Sequence, residues 1–298
     1  MDYLNFIKRI YKDFFIQSYE DTCYVFLCGG AGTNCIRDRV RKHLEENHIQ
    51  VLYPEDLFME MLYKDKKSDL LQYENLLAES ADIIFLICES IGSAAELGAF
   101  VQSEEIKNKL LVGIEKKYSR DKSFIMDGPI KRIKNFDPQN VIIYNSKDLS
   151  EFYRNMDRYF RGIKQKKKWP MLVYSKKTLD FSSLPEYISF IPLLIYFFQE
   201  VNRTDLFKSM KIFLSEKSIL PNNYNRLFNA SLNYLHKLGI VAMDSSFNLE
   251  KDFGEENIKL STKGYDKVLN FLESSHISNK ILLHDKLRCD ILKEQLYK

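Results

Sequence analysis

Short apolar runs alternate with helical patterns through the first half of the chain. This alternation is typical of a parallel β-sheet that is wrapped by crossover helices. Five runs have the length and composition of buried strands: Cys23 to Cys28, Gln50 to Tyr53, Ile83 to Cys88, Leu110 to Ile114 and Val141 to Tyr144. The most economical architecture for them is an α/β domain with a flavodoxin-like, doubly wound, five-stranded parallel sheet.

Helical periodicity fills the intervals between these strands. The predicted crossover helices are Thr33 to Asn47, Asp69 to Ser80, Ala94 to Glu104, Ser123 to Lys134 and Asp148 to Tyr159. In doubly wound sheets the ligand binds beyond the carboxyl ends of the strands, where the strand order reverses. Chemistry is therefore expected in the residues that directly follow each strand.

The second half of the chain is mostly helical. Helices are predicted at Leu184 to Val201, Asp205 to Leu214, Asn223 to Leu238 and Thr262 to Glu273, with two short strands before the last of them. Three helices followed by a two-stranded wing are typical of a winged helix-turn-helix domain. The predicted domains are an α/β domain at residues 1–163, a basic linker at 164–180, and a winged helix-turn-helix domain at 181–298 that ends in a charged helical tail.

Composition places the chain among folded globular proteins, since 45% of its 298 residues are hydrophobic and 29% are charged. The longest apolar run, Tyr187 to Phe198, is shorter than the ~20 residues that a membrane-spanning helix needs, so it predicts a buried core helix. Charges scattered through Met1 to Phe15 argue against a signal peptide. We therefore expect a cytoplasmic protein without membrane contact.

The cysteines and histidines give no sign of a metal centre. Neither the five cysteines nor the five histidines show the spacing of metal ligands, such as a C-x-x-C pair. Buried free thiols are the expected state of the cysteines. The sequence predicts neither a metal nor a cofactor.

The distribution of charge is more informative than the net charge of +3. The predicted linker concentrates lysines with no acidic residue between them: Lys164, Lys166, Lys167, Lys168, Lys176 and Lys177. Together with Arg226 in the third predicted helix of the C-terminal domain, they are candidates for salt-sensitive contacts with nucleic-acid phosphates. A solvated linker is an equally good interpretation of the charges alone, and winged helices also bind proteins.

A glycine-rich turn follows the first predicted strand. Cys28, Gly29 and Gly30 stand at the strand end, just before a helix begins. Glycines there let backbone amides approach a phosphate or a sugar, and the helix dipole adds favourable potential. The spacing is not that of a dinucleotide fingerprint, and a tight turn alone explains it equally well.

The third strand leads into a second candidate segment, CESIGSAAELGAF. Glu89 and Ser90 stand at the strand end, Gly92 and Ser93 follow, and Glu96 is expected in the first turn of a helix. A carboxylate near a helix N-terminus is stabilised as the anion and remains available as a nucleophile. The alternative is that Glu96 merely complements the helix dipole.

Two further acidic pairs follow the same logic. Glu55 and Asp56 come directly after the second strand, and Glu74 and Asn75 stand ahead of the third. Singly, such residues are more often caps or surface residues than catalysts. With Glu96 they could supply the carboxylates that cleavage of a glycosyl bond requires.

The order of these blocks resembles the nucleoside deoxyribosyltransferase family. The matching features are Gly29-Gly30, Pro54-Glu55-Asp56, Glu74 ahead of Ala81-Asp82, and Gly92-Ser93-x-x-Glu96-x-Gly98. More narrowly, FLCGG, YPEDLF, ENLLAES-AD, ES-GS-x-x-ELGAF and the segment from Ser123 to Ile130 look like the nucleoside deoxyribosyltransferase-like effectors of bacterial retrons. The match covers about half of the chain, and the order of the domains agrees.

This resemblance implies that Glu96 is a catalytic nucleophile that forms a glycosyl-enzyme, which water then resolves. Glu74 and Ser90 would assist proton transfer. The family normally has an Asp at the position of Ser90, and its absence argues against base exchange and for hydrolysis. The substrate-binding residues implied are Cys28, Gly29, Gly30, Glu55, Asp56, Asn75, Glu89, Gly92 and Ser93.

The resemblance also implies a biological role. The chain would be a toxic N-glycosidase that acts on NAD, as a substrate rather than a cofactor, or on a related nucleotide. Its expected partners are the retron reverse transcriptase and multicopy single-stranded DNA, which would restrain it until phage infection, and further copies of itself. Two alternatives stay open: a non-catalytic, nucleotide-sensing DNA-binding regulator, and a true nucleoside deoxyribosyltransferase.

Overall fold

The computed structural model describes residues 2–30, 35–47, 49–53, 81–165, 179–246, 255–273 and 281–296. These residues form two compact units. The α/β unit consists of the described residues between 23 and 165, and the helical unit consists of residues 2–22 together with those between 179 and 296. The predicted helix from Asp69 to Ser80 lies outside the described residues.

The described elements, in chain order, alternate in the α/β unit and are mostly helical elsewhere. The helices are α1 (Tyr3–Ile10), α2 (Ile16–Asp21), α3 (Ile36–Glu46), α4 (Ile91–Phe100), α5 (Glu104–Lys107), α6 (Lys131–Phe136), α7 (Ser150–Gln165), α8 (Leu184–Phe198), α9 (Arg203–Glu216), α10 (Tyr224–Lys237), α11 (Thr262–Glu273) and α12 (Ile281–Leu296). The strands are β1 (Tyr24–Cys28), β2 (Gln50–Leu52), β3 (Ile83–Cys88), β4 (Leu110–Glu115), β5 (Val141–Tyr144), β6 (Glu200–Asn202), β7 (Val241–Ser246) and β8 (Glu255–Leu260).

The sheet of the α/β unit is entirely parallel, with the strand order β2-β1-β3-β4-β5. All five predicted strands are confirmed; β3 and β5 have the predicted bounds, and the others differ by one residue at one end. The central strands β1, β3 and β4 are buried along almost their whole length. Strands covered on both faces read as continuous apolar runs, which is why the sequence revealed them.

Helices α3 and α7 cover one face of this sheet. Val40 and Leu44 of α3, and Phe152 and Met156 of α7, join a core cluster with alternate residues of the strands, such as Phe85. The strand register brings the carboxyl ends of β1, β3, β4 and β5 to the same edge of the sheet. We call this edge, with the residues that end or directly follow those strands, the carboxyl edge.

Two predicted crossover helices differ from the observed elements. The helix expected from Ala94 to Glu104 begins earlier, at Ile91, and is divided into α4 and α5. The helix expected from Ser123 to Lys134 is a π-helical turn at Met126–Ile130 followed by α6. Pro129 lies inside the π-helical turn and has no N–H to donate, so a regular α-helical ladder cannot pass through it.

The helical unit includes the N-terminal helices, which the sequence placed in the α/β domain. A π-helical turn at Tyr11–Phe15 joins α1 to α2. The ring of Phe15 lies 4.5 Å from that of Phe190 in α8, and the ring of Tyr11 lies 5.0 Å from that of Phe213 in α9. An apolar stripe on residues 2–22 thus finds its partners in the C-terminal half of the chain.

The remainder of the helical unit runs α8, β6, α9, α10, β7, β8 and α11, with an antiparallel sheet in the order β6-β8-β7. α8 is almost entirely buried, which confirms the predicted core helix. It ends at Phe198, because Gln199 takes a positive φ of 67°, and the unpredicted strand β6 follows. No helix in the described part of the chain is long and apolar enough to cross a membrane.

Candidate functional site

The candidate site lies at the carboxyl edge, where β1 and β3 are neighbours. The strand order reverses between these two strands, so a crevice for a ligand is expected beside them. Gly29 and Gly30 follow β1, and Glu89 and Ser90 follow β3. The structure thus brings together the two segments that the sequence identified separately.

The turn after β1 requires glycine. Gly29 has a φ of +155°, and a Cβ there would lie 3.1 Å from the Ile87 carbonyl oxygen and 3.2 Å from Arg37 Cβ. Cys28, which was predicted to bind substrate, is fully buried at the end of β1. Its side chain is therefore part of the core of the unit.

Glu89 binds backbone groups of the first βα connection. Its Oε1 atom accepts hydrogen bonds from the N–H groups of Gly30 at 3.2 Å and Arg37 at 3.3 Å, and its Oε2 atom accepts one from Ile36 N–H at 3.1 Å. The Gly30 amide, which we expected to be offered to a phosphate, therefore donates to a carboxylate of the chain. Glu89 itself remains half-buried.

Ser90 and Ser93 form the N-terminal cap of α4. Ser90 Oγ accepts a hydrogen bond from Ser93 N–H at 3.1 Å, and Ser93 Oγ accepts from the N–H groups of Ser90 at 2.9 Å and Glu89 at 3.1 Å. This reciprocal arrangement is a capping box. The predicted substrate-binding residue Ser93 is buried within the cap, whereas Ser90 and the neighbouring Gly92 are exposed.

Glu96 is the sixth residue of α4, because Ser90 caps the helix and Ile91 begins it. The expectation that Glu96 lies in the first turn is therefore wrong, and that turn contains no acidic residue. The favourable field of a helix N-terminus falls off within one turn, so the dipole does not explain a carboxylate at this depth. Glu96 is half-buried, and its Oε2 atom is buried.

Glu96 lies close to the end of β3. Burial, together with the charge of Glu96, raises the pKa of the Cys88 thiol above its ordinary value. Cys88 is the last residue of β3, and its thiol therefore stays protonated near neutral pH.

Two residues of the carboxyl edge were missed by the sequence analysis. Glu115 ends β4 and accepts hydrogen bonds from Ser146 Oγ and Lys117 Nζ, both at 2.7 Å. Burial opposes ionisation of Glu115, but these two partners lower its pKa below the ordinary value. Tyr144 ends β5, and burial together with the charges of Glu89 and Glu115 raises the pKa of its phenol. Their positions at the ends of predicted strands could have identified both residues in the sequence.

Several predicted site residues are not described by the structure. Glu55, Asp56, Glu74 and Asn75 lie outside the described residues, as do Lys166, Lys167, Lys168, Lys176 and Lys177. Lys164 belongs to the last turn of α7, where the structure describes the backbone alone. Within the described ranges, no group of three His, Cys, Asp or Glu residues could hold a metal ion.

The described cavities do not coincide with Glu96. One of about 650 Å³ lies along the edge strand β5 and α7, with Ile143, Tyr144, Asn145 and Glu151 among its lining residues. The cavity reaches the carboxyl edge at Tyr144 and Asn145 of the β5 end and at Lys116, which follows β4. The assignment of Glu96 to the candidate site is therefore based on the strand topology and on its proximity to Cys88, not on a cavity.

Three basic side chains of the helical unit are candidates for the predicted contacts with nucleic acid. Arg226 is the third residue of α10 and is half-buried, while Lys208 and Lys211 of α9 are exposed. The Arg203 guanidinium hydrogen-bonds Glu256 of β8 at 2.5 Å and Asn229 of α10 at 2.8 Å. Arg203 therefore fixes the strand of the antiparallel sheet to the helix that carries Arg226.

Similar proteins share a single biological context. Two Escherichia coli proteins match part of the chain. The one named "Retron Ec86 putative ribosyltransferase/DNA-binding protein" is 34% identical over 148 residues, which are 49% of this chain and 48% of that protein. The one named "Retron Ec73 putative ribosyltransferase/DNA-binding protein" is 35% identical over 118 residues, which are 37% of each. The chain thus spans about half the length, or less, of these curated relatives.

A family model covers more of the chain than either relative does. Residues 33–243 match the model described as STM3845 retron effector protein. The matched range runs from the connection after β1, through the carboxyl edge, to the start of β7. Since this range is well over half of the sequence, the chain belongs to the STM3845 family of retron effector proteins.

Proposed function

We propose that this retron effector is an N-glycosidase that cleaves the N-ribosyl bond of NAD or a related (deoxy)nucleotide, with Glu96 as its nucleophile. The observation that carries the proposal is the position of Glu96, a half-buried carboxylate beside Cys88 at the reversal of the strand order. Ligands of doubly wound sheets bind at this point. The word ribosyltransferase in the names of both relatives supports the same class of chemistry.

The two folds that we propose for the units fit this activity. A flavodoxin-like α/β domain is supported by the strand order β2-β1-β3-β4-β5. A winged helix-turn-helix domain is supported by α8, α9 and α10 followed by the hairpin of β7 and β8. The first would carry the chemistry, and the second would bind nucleic acid or a protein partner.

In the proposed mechanism, a Glu96 oxygen attacks the anomeric carbon while the bond from that carbon to the base nitrogen breaks. The electron pair of the broken bond leaves with the base. Nicotinamide carries a positive charge at that nitrogen, so it departs as a neutral molecule without needing a proton. Water then attacks the anomeric carbon of the glycosyl-enzyme, gives up a proton, and releases the Glu96 carboxylate.

We further propose that the retron reverse transcriptase and its multicopy single-stranded DNA restrain this activity until phage infection. Membership of a retron effector family and the words DNA-binding in the names of the relatives support this role. Arg226 and the exposed Lys208 and Lys211 would contact phosphates. Assembly of several copies would complete the site, as the resemblance to the transferase family implies.

The test is to incubate the purified protein with NAD and to measure nicotinamide and ADP-ribose by mass spectrometry. Glu96→Gln keeps the size of the side chain and removes its charge, and we expect it to lose at least about a thousandfold in rate, as nucleophile replacements do. The matched control is Glu46→Gln, an exposed glutamate at the C-terminal end of α3. Its rate should equal that of the unmodified protein.

The same pair of variants should be profiled in cells that carry the retron and are infected with phage. Loss of NAD that depends on Glu96 and not on Glu46 would support the hydrolase. Release of a different base would keep Glu96 as the nucleophile and replace the substrate. Equal turnover by the Glu96→Gln variant, or unchanged nucleotide pools in both strains, would refute the catalytic assignment and favour the DNA-binding regulator.

A further inference from the structure

The N-terminus of α3 is already occupied by an anion, which is the side chain of Glu89. α3 is 11 residues long and begins at Ile36, so the N–H groups of Ile36 and Arg37 belong to its first turn. Such groups have no partner within their helix and carry the positive end of its dipole. Both donate to the Glu89 carboxylate, at 3.1 and 3.3 Å.

Gly30, at the described start of the connection after β1, also contacts this carboxylate. Gly30 donates to Glu89 Oε1 at 3.2 Å. A Cβ at Gly30 would lie 3.0 Å from Glu89 Cγ and 3.1 Å from its Oε1 atom, closer than ordinary contact allows. A larger residue at Gly30 would therefore require the Glu89 side chain to shift by a few tenths of an ångström.

Glu89 also joins α3 to the helix that carries Glu96. Its backbone N–H donates to Ser93 Oγ at 3.1 Å, inside the cap of α4. The side chain of Glu89 thus holds the start of α3, and its backbone holds the start of α4. The position of Glu96 on α4 depends on where that cap is fixed.

Glycine-rich turns and helix N-termini are the usual places where proteins bind the phosphates of nucleotides. Among the described residues after β1, three N–H groups of that kind, on Gly30, Ile36 and Arg37, donate to the Glu89 carboxylate. A phosphate that approached these N–H groups would meet a like charge. The β1 side of the site is therefore suited to a neutral group, such as the hydroxyls of a ribose.

We propose that Glu89 is a specificity-determining and positioning residue, which excludes phosphate from the β1 side of the site and fixes α3 and α4 relative to each other. The effect of Glu89 on catalysis rests on the proposed function. The occupation of the α3 N-terminus by Glu89 is independent of that function. It follows that the phosphates of a nucleotide substrate bind away from Gly29 and Gly30.

The first experiment requires no activity. Glu89→Ala leaves the N–H groups of Gly30, Ile36 and Arg37 around an open space, so inorganic phosphate should bind there. We expect saturable phosphate binding to this variant by calorimetry, with a rise in its melting temperature, and none to the unmodified protein at the same ionic strength. If Glu89→Ala cannot be purified folded, Glu89→Ser takes its place.

The matched control is Glu46→Ala, which removes an exposed carboxylate from the opposite end of α3. This variant has the same change in net charge as Glu89→Ala but leaves the three N–H groups occupied by Glu89, so it should bind no phosphate. Equal phosphate binding by the unmodified protein and the Glu89→Ala variant would overturn the inference. Absence of binding to the alanine and serine variants would overturn it as well.

The second experiment compares nicotinamide riboside with its 5′-phosphate as substrates. Glu89→Gln removes the charge and keeps the size of the side chain. Loss of repulsion should raise the ratio of kcat/KM for the phosphate over the riboside by about tenfold or more, whereas a purely structural role would lower both values together. An unchanged ratio would overturn the specificity role.

The two experiments separate two kinds of failure. If neither compound is cleaved by the unmodified protein, while phosphate still binds to the Glu89→Ala variant alone, the proposed function fails and the anion site stands. If both compounds are cleaved and phosphate binding does not depend on Glu89, the proposed function stands and this inference fails.

Discussion

Neutralising Glu186 is expected to remove a pH dependence from the stability of the helical unit. This carboxylate is 2% exposed and accepts hydrogen bonds from Phe181 N–H at 3.1 Å, Ser183 N–H at 2.9 Å and Ser183 Oγ at 2.5 Å. These donors favour the charged form, but burial outweighs them and raises the pKa of Glu186 from 4.5 to about 7. The group therefore takes up a proton on folding near neutral pH.

The sign follows from the folded pKa being the higher one. Between pH 4.5 and 7 the folded state binds more protons than the unfolded state, so the contribution to stability is complete below pH 4.5 and is lost as the pH rises to about 7. The difference of 7 minus 4.5 is about 2.5 pKa units, which corresponds to about 3 kcal/mol.

Hydrogen exchange followed by mass spectrometry, read on peptides from α8 and α10, measures the opening free energy of this unit alone. From pH 5 to pH 8, the free energy of opening of the unmodified protein should fall by about 2.5 kcal/mol more than that of Glu186→Gln, because pH 5 already lies above the unfolded pKa. Glu273→Gln changes an exposed glutamate at the end of α11 and should keep the original slope. If the opening free energies of the unmodified protein and Glu186→Gln changed equally with pH, the reasoning would be refuted.

Substitutions at Gly29, Gly264 and Ser90 test three further contacts, each by urea unfolding. Gly29→Ala should destabilise the α/β unit by about 1–3 kcal/mol, because of its positive φ and the nearby Ile87 carbonyl, whereas Gly98→Ala on α4 meets nothing within 4 Å and should be neutral or stabilising. Gly264→Ala should cost the helical unit more than about 3 kcal/mol, since its Cβ would clash with the Ile240 carbonyl oxygen. Ser90→Ala should cost about 1 kcal/mol through loss of the α4 cap, and Ser90→Asn should restore it; equal effects of the two would argue against a capping role.

The sheet was predictable because its central strands are covered on both faces. Continuous apolar runs such as Ile83 to Cys88 have few alternatives to a buried strand, and the order of strands and helices along the chain limits the topology. The grouping of residues 2–22 with the C-terminal half was not predictable. It depends on ring contacts such as Phe15 with Phe190, whose partners are far apart in sequence.

The candidate site was predictable in its location and less so in its details. Strand ends placed Gly29 and Glu89 at the carboxyl edge, where the structure has them, whereas the role of Glu96 stays a prediction. Ser90 and Ser93 were interpreted as substrate-handling residues, although their spacing is also that of a capping box. Because the cap was not recognised, α4 was expected to start too late, and Glu96 was placed in the first turn instead of the second.

The two carboxylates after β3 are therefore suited to different tasks. Glu89 is surrounded by three N–H donors that fix its charge against the backbone, so it cannot approach a substrate without releasing the start of α3. Glu96 lies in the second turn of α4, close to the protonated thiol of Cys88. A nucleophile has to give up its charge to an anomeric carbon and recover it from water. If Glu89 were the nucleophile, that exchange would disturb the start of α3, so the chemistry that we propose is assigned to Glu96.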